Sequence, residues 1–455
     1  MNRATLAWVA AQGGRDPYVI LISIYIFAPW FVGQVVGNPV EGQALIAAGG
    51  KWGGWAVMLS MPVLGAAIDR LGPRKPLLAL VVAAMIGICA SLWFVTPRGH
   101  PEPMLGIAWV VAAGAAMTWL FAAHEMLHNA LLVPAAGAAG AARASGAGLA
   151  AGNAVSVSLL LLVLFAFALP GTVPWPWLPE RPLLGLDPAM GEPARITGPI
   201  VAVLMALGSL PLFRLVPDRP RTRASWAGAL AGGAGDLAGL FRNVRGNANP
   251  LLYLLARMIF TDGLTAILLF GGIFASGVMG WGTLEMLGYG LLLSTMAVVG
   301  GLLAGRLDAA IGPRPALILE LSALIALELA VIGTDRAHIA HLAVDTAPVW
   351  KAPVFATLPE LGFLALGCGL AITITAAYAS SRTLLTRVAP ADQLGTYFGL
   401  YALAGSATMW LGPLLVETAT RAIGTQAAGF WAVVGLLAVG LLLLLFVKGG
   451  GRLKG

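Results

Sequence analysis

Gly65-Ala66-Ala67-Ile68-Asp69-Arg70-Leu71-Gly72-Pro73-Arg74-Lys75 sets one acid among three bases in the seam between two apolar runs, about 52–69 and 76–96. Each run is long enough to cross a bilayer as a helix, so the charged seam reads as a short loop between two spans. Gly65 permits close helix contact and Gly72 a tight turn, while the bases assign the loop to the cytoplasmic side. Topology alone does not require Asp69. Its carboxylate can pair with Arg70 or sit at the N-terminus of a facing helix, so Gly65, Asp69, Arg70, Gly72, Arg74 and Lys75 are expected to gate the cytoplasmic side.

The seam recurs further along the chain. Gly72-Pro73-Arg74 returns as Gly312-Pro313-Arg314, 240 residues later, after a degenerate lead-in of Gly305, Arg306 and Asp308. A second shift, of 253, superposes Leu131 and Leu132 on Leu384 and Leu385, Gly146 on Gly399, and Gly152 on Gly405. The apolar runs place spans at about 17–37, 52–69, 76–96, 104–128, 146–169, 196–216, 250–275, 284–304, 315–334, 358–380, 395–416 and 427–447. The expected architecture is therefore an all-α polytopic membrane protein with about twelve transmembrane helices in two pseudo-symmetric six-helix bundles. These are residues 1–216 and 250–455, joined by a cytoplasmic linker over 217–249 rich in Arg, Gly and Ala. Six is even, so the copies keep one orientation, and two parallel bundles facing a midplane cavity make an alternating-access design.

Composition excludes the soluble classes: of 455 residues 59% are hydrophobic and 10% charged, whereas soluble domains carry about a quarter charged residues. With both termini inside, nineteen of the 27 Lys and Arg fall in inner segments, Arg15 among them, and seven in outer ones, with Arg257 left in a span. The net charge of +7 thus reads as topology rather than a nucleic-acid footprint. Cys89 and Cys368 lie in different spans and offer no disulfide framework. The first 16 residues lack a leader's apolar core, so the first span should act as its own insertion signal. No Walker-type phosphate loop occurs, which argues against energy from bound ATP.

The Gly65–Lys75 segment closely resembles the loop signature of the major facilitator superfamily, with Pro73 inserted in the basic run. A more specific resemblance begins at Ser381-Arg382 and Pro390. It continues through Phe398-Gly399-Leu400-Tyr401-Ala402-Leu403-Ala404-Gly405-Ser406-Ala407-Thr408-Met409-Trp410-Leu411-Gly412-Pro413. It is similar to the eleventh-helix signature of the bacterial relatives of the vacuolar autophagy-type amino-acid effluxers, with Ser406 where Lys is usual. Asn129 to Pro134, Arg143 to Gly152 and Thr261-Asp262-Gly263 agree. The resemblance implies the major facilitator fold, a small-molecule substrate, and a seventh helix that lines the cavity. Tyr401 and Thr408 belong to that signature; read from the residues alone, Gly399, Gly405, Ser406, Ala407 and Gly412 make a closely packing helix, with Pro413 inviting a kink near its outer end, for packing alone or as a hinge used in switching.

Asp262 is the leading candidate for proton or substrate coupling. It lies about 12 residues into its span, roughly 18 Å deep at 1.5 Å per residue, where an acid costs about 2.5–3.5 kcal/mol. Arg257, five residues earlier, points about 140° away around the helix and is expected to snorkel inward or meet another helix. Tyr25, Thr375 and Tyr378 join the pair as candidate cavity groups, and Glu320 and Glu328 share one face of the ninth span.

His124-Glu125-Met126-Leu127-His128 points elsewhere. Two imidazoles on one helix face with a glutamate between them match a zinc-protease helix, and Asp262-Gly263 could supply a distant partner. The bland alternatives are a polar cluster capping the inner end of the fourth helix, or a pH-sensitive gate.

The expected function is secondary active transport in a bacterial inner membrane: proton-coupled export of a small polar metabolite such as an amino acid. The partners are substrate, lipid bilayer and a proton or another cation; a monomer, no cofactor, no metal and no nucleic acid are expected. A melibiose-type sugar-cation symporter, an intramembrane zinc protease, and a receptor or scaffold without flux are the competing readings.

Overall fold

Each apolar run folds as a helix because a bilayer offers backbone N–H and C=O groups no partner but one another. The computed structural model describes the chain except residues 101–103, 172, 174, 177, 221, 223–224, 226, 230–247, 390–396, 398–399, 402–403, 406–407 and 449–455. Side chains at 62, 63, 66, 69, 133, 138–143, 145, 146, 149 and 386 are likewise outside the description.

The helices are α1 (Arg3–Val36), α2 (Pro39–Leu71), α3 (Lys75–Ser91), α4 (Ile107–Ala130), α5 (Leu132–Val163) and α6 (Glu192–Leu215). After the linker come α7 (Ala248–Met279), α8 (Thr283–Ile311), α9 (Pro313–Ile332), α10 (Leu358–Val388), α11 (Leu411–Ile423) and α12 (Gln426–Phe446). A two-strand hairpin, β1 (His338–Ile339) with β2 (Leu342–Ala343), lies between α9 and α10. Among the described residues ten helices are long and apolar enough to cross a membrane. Of the spans expected beyond those ten, 52–69 falls inside α2 and 395–416 falls partly outside the described residues.

Local chemistry sets the ends. Asn2 caps α1 by accepting the Thr5 N–H at 2.7 Å, and Asn38 caps α2 by accepting from Val40 and Glu41 at 3.0 and 3.1 Å, with Pro39 next in line. Thr357 and Glu360 form a reciprocal capping box at α10.

One expectation needs correction. The first helix begins at Arg3 rather than near 17, so Arg15 and Asp16 belong to it, and Arg15 is a buried helical residue instead of a loop charge. Its polar groups bond inside the protein, and the interruption in hydropathy is therefore not an interruption in the helix. The eleventh span falls partly outside the described residues; residues 408–410 form a turn, α11 starts at Leu411, and Pro413 sits in its first turn.

The chain divides into two compact units, Met1–Gly239 with Gly282–Leu287, and Leu240–Trp281 with Gly288–Gly455. Inside the first, α1 packs on α5 and α6, α2 on α4, and α3 on α4 and α6. Inside the second, α7 packs on α11 and α12, and α9 on α10 and α12, the counterparts of the α1 and α3 pairings one repeat later. Glycines permit the closest approaches. A side chain at Gly14 would put its Cβ 2.5 Å from the Leu204 carbonyl oxygen on α6, and one at Gly440 would sit 2.8 Å from the Phe260 nitrogen on α7. Gly72 and Gly312, matched by the repeat, have φ of +98° and +88°, which only glycine adopts without strain.

Candidate functional site

The Gly72 turn is held by a residue that the sequence did not single out. Asp218, just past α6, accepts the backbone N–H groups of Arg74 at 3.1 Å and Lys75 at 2.9 Å, so an acid does occupy the N-terminus of α3. Thr222 donates its hydroxyl to the Arg70 carbonyl at 2.7 Å, closing the segment after α6 over the loop. Arg74 Nη1 reaches the Ala130 carbonyl at the end of α4 at 2.9 Å, and Lys75 Nζ the Phe213 carbonyl at 3.0 Å. The second copy repeats that last tie, Arg314 Nη2 donating to the Leu445 carbonyl of α12 at 2.8 Å. One oxygen of Asp308 is buried there without a partner among the described residues. The Asp69 side chain lies outside the described residues, and Gly65 sits against Met126.

In the second unit a polar cluster forms along α7. Tyr253, Arg257, Thr261 and Thr265 recur every four residues and so share a face, with Asp262 beside it. The Tyr253 hydroxyl donates to the Ser381 carbonyl on α10, and the Ser381 hydroxyl meets Tyr401 Oη at 3.0 Å. Arg257 lies with its guanidinium carbon 3.2 Å from the centre of the Tyr401 ring and donates Nη1 to the Tyr401 carbonyl at 2.8 Å. Gly405 leaves room for that guanidinium, its missing Cβ falling 3.6 Å from Arg257 Nη1. Tyr378 Oη and Thr265 Oγ1 are 3.1 Å apart.

Asp262 is 4% exposed, and one of its carboxylate oxygens has no partner among the described residues. No ion pair joins it to Arg257 among those residues, although the Thr408 hydroxyl is placed to donate to its carboxylate and the Arg257 charge acts on it. Gly412 packs against the Asp262 carbonyl. Thus Asp262, Arg257, Tyr378, Tyr401, Gly405, Thr408 and Gly412 are brought together in one unit. Thr375 instead bonds back to the Ala371 carbonyl of its own helix at 2.9 Å. Tyr25 belongs to the first unit, and Gly399 and Ser406 lie outside the described residues. On α9, Glu320 accepts the Ser380 hydroxyl at 2.9 Å, while Glu328 is fully buried.

The first unit carries its own cluster, between α1 and α4. Arg15 holds Asp16 through Nε at 2.9 Å and Nη2 at 2.6 Å, reaches His124 Nδ1 with Nη1 at 3.4 Å, and lies over the Phe121 ring. Trp8 donates its indole N–H to the His128 carbonyl at 2.7 Å, as Tyr253 does to Ser381, and 128 and 381 are related by the shift of 253. This arrangement does not suit zinc. His128 Nε2 is occupied by the Trp8 carbonyl at 2.9 Å, His124 Nδ1 by Arg15, and Glu125 is exposed. Among the described residues no three His, Cys, Asp or Glu side chains are placed to hold a metal ion.

Residues 142–450 match the family described as vacuole effluxer Atg22 like. No curated protein matches the chain. Among solved structures, the nucleoside transporter NupG (D323A mutant) is 12% identical over 98% of this chain and 99% of its own, with a TM-score of 0.63. A D-xylose-proton symporter is 15% identical over 99% and 98%, at 0.61. A bacterial homologue of the human lysosomal transporter Spinster, inward-facing and occupied, is 15% identical over 98% and 95%, at 0.58. At such identities the likeness speaks for the fold, which is that of the major facilitator transporters.

Proposed function

The chain belongs to the vacuole effluxer Atg22-like family, and from that premise we propose that this major facilitator secondary transporter exports a small polar metabolite such as an amino acid, coupled to protons. The observation that carries the reading is the pair on α7. Arg257 and Asp262 are buried, opposite in charge and not paired with each other, and Arg257 Nε and one Asp262 oxygen lack partners among the described residues. Burial without pairing is costly for both groups. A zwitterion offers a carboxylate to the guanidinium and an ammonium to the carboxylate, and in its absence a proton on Asp262 serves the same end. The D-xylose-proton symporter of the same fold lends support to cation coupling.

In this proposal Gly65, Asp69, Arg70, Gly72, Arg74, Lys75, Asp308 and Arg314 form the gating loops. The charge asymmetry supports cytoplasmic termini and a cytoplasmic linker over 217–249. A monomer in a bacterial inner membrane is the working unit. Zinc proteolysis is not favoured, since the family and the structural neighbours are transporters and the histidines are already engaged.

The test is thermal stabilisation of the purified protein over a panel of amino acids and sugars. A native-state ligand at a hundred times its Kd adds about 2.7 kcal/mol of apparent stability. One or a few amino acids are expected to raise the melting temperature. Stabilisation by a sugar together with sodium, and by no amino acid, would move the melibiose-type reading to the front.

A further inference from the structure

We propose that Glu328 on α9 is an occluded proton-binding site of the second unit, separate from Asp262 and not dependent on its role. The residue is 0% exposed, and neither carboxylate oxygen has a partner among the described residues. An ion so placed has lost its water and gained no donor in exchange, and such a group takes the neutral form instead. For a carboxylate the neutral form is the protonated acid, and no positive charge among the described residues acts on Glu328 to hold the anion. Glu320, two turns earlier on the same face, differs in accepting the Ser380 hydroxyl at 2.9 Å. Packing gives no reason for an acid at 328. Leu321, Leu324 and Val331 share the buried stripe of α9 with it, and the repeat sets Ile88 of α3 at the corresponding place 240 residues earlier.

The ionisable groups of the neighbouring helices are all engaged elsewhere or distant. The helices packed on α9 are α10 and α12, and α12 contains no ionisable residue. Helix α10 runs antiparallel to α9: Ser380 bonds Glu320, and Gly369 leaves the space that Leu327 fills. Glu328 therefore lies at the level of Gly369, where half-buried Cys368 is the nearest ionisable residue along α10. Glu360 is held by Trp281 Nε1 at 3.1 Å and the Thr357 N–H at 3.0 Å, and Tyr378 meets Thr265 of α7. Arg382 and Arg387 follow Ser380 on the far side of the Glu320 level, about 12 Å along the helix from that of Glu328. On α9 itself Arg314 donates to the Leu445 carbonyl, and the Asp308 charge acts on Glu320 rather than on Glu328.

Closure of this seam locks the proton in. With the side chain out of water, the acid gives up or regains its proton only when α9, α10 and α12 part far enough to admit solvent. Ionisation in turn favours the parted arrangement, because the anion finds there the solvation that the closed seam denies it. Helix α12 also packs on α7, where its Leu436 and Leu437 fill the space left by Gly263, next to Asp262. The helix that covers Glu328 is thus the one that lies against the helix of Asp262.

Infrared difference spectroscopy of the full chain in nanodiscs reads the carboxyl directly. Wild type minus Glu328→Gln at about pH 7 is expected to show a carboxylic-acid C=O band and no carboxylate bands, equally in an added Asp262→Asn background. The band should shift slowly on transfer to D₂O and give way to carboxylate bands as pH is raised to about 10, a range in which buried glutamates titrate. Carboxylate bands already at about pH 7 would overturn the proposal, as would an immediate D₂O shift, which would mean an open carboxyl. An acid band unchanged at about pH 10 would equally overturn it, by making Glu328 a permanently neutral packing group. Loss of the band in Asp262→Asn would assign the proton to Asp262 instead. If Glu328→Gln does not fold, Glu328→Leu, which continues the apolar stripe, supplies the same difference.

Discussion

Proteoliposomes carrying Asp262→Asn are expected to lose gradient-driven accumulation of the substrate by more than about tenfold, while substrate exchange at equal pH persists. The replacement is close to isosteric, and the carboxylate is 4% exposed with one oxygen unpartnered among the described residues, so no described tertiary hydrogen bond of that oxygen is broken. What disappears is the capacity to switch between a charged and a neutral state at that depth in α7. A structural acid predicts the opposite pattern: reduced stability with coupling intact. Full accumulation by Asp262→Asn across the pH range would remove Asp262 from the coupling path.

The second large effect concerns packing. Gly14→Val is expected to lower the melting temperature sharply, because the new Cβ would lie 2.5 Å from the Leu204 carbonyl oxygen and 3.3 Å from the Gly208 Cα. Both neighbours are backbone, and neither can turn aside as a side chain can. Separating α1 from α6 to admit the methyl groups is overpacking, at about 1–3 kcal/mol or more. The control is Gly87→Ala in α3, where nothing lies within 4 Å of the added Cβ. There the gain in helix propensity, about 0.5–1 kcal/mol, should leave the protein as stable as before or more so. Equal melting temperatures for the two variants would mean that the α1–α6 contact is looser than described.

Much of the fold was legible because a bilayer permits little else: runs of about 20 apolar residues, and a Gly-Pro-Arg turn repeated after 240 residues, already imply two copies of one unit. The positive φ of both Gly72 and Gly312 is the same information expressed in the backbone. The start of α1 was not legible, since hydropathy registers Gln12, Arg15 and Asp16 as an end of span. It cannot register that they bond to one another and to His124. Asp218 was missed for a related reason: an acid in an Arg-rich linker looks solvated until the chain folds back onto the N-terminus of α3.

The candidate site was partly visible. An acid deep in an apolar run stands out, and Asp262 was read that way. The company it keeps was not, because Tyr253, Ser381 and Tyr401 reach the same place from three separate stretches of the chain. The HEMLH match is the reverse case. Spacing on one helix puts two imidazoles on one face, yet which atoms fill their nitrogens depends on α1.

Proton-coupled export is tested most directly by flux of the stabilising amino acid in proteoliposomes of the wild-type protein under an imposed pH gradient, with and without a protonophore. The expected result is movement of the amino acid against its own gradient that collapses when the protonophore is added. Flux of equal rate and extent with and without the pH gradient would contradict the account, leaving a facilitator whose buried acid carries no proton.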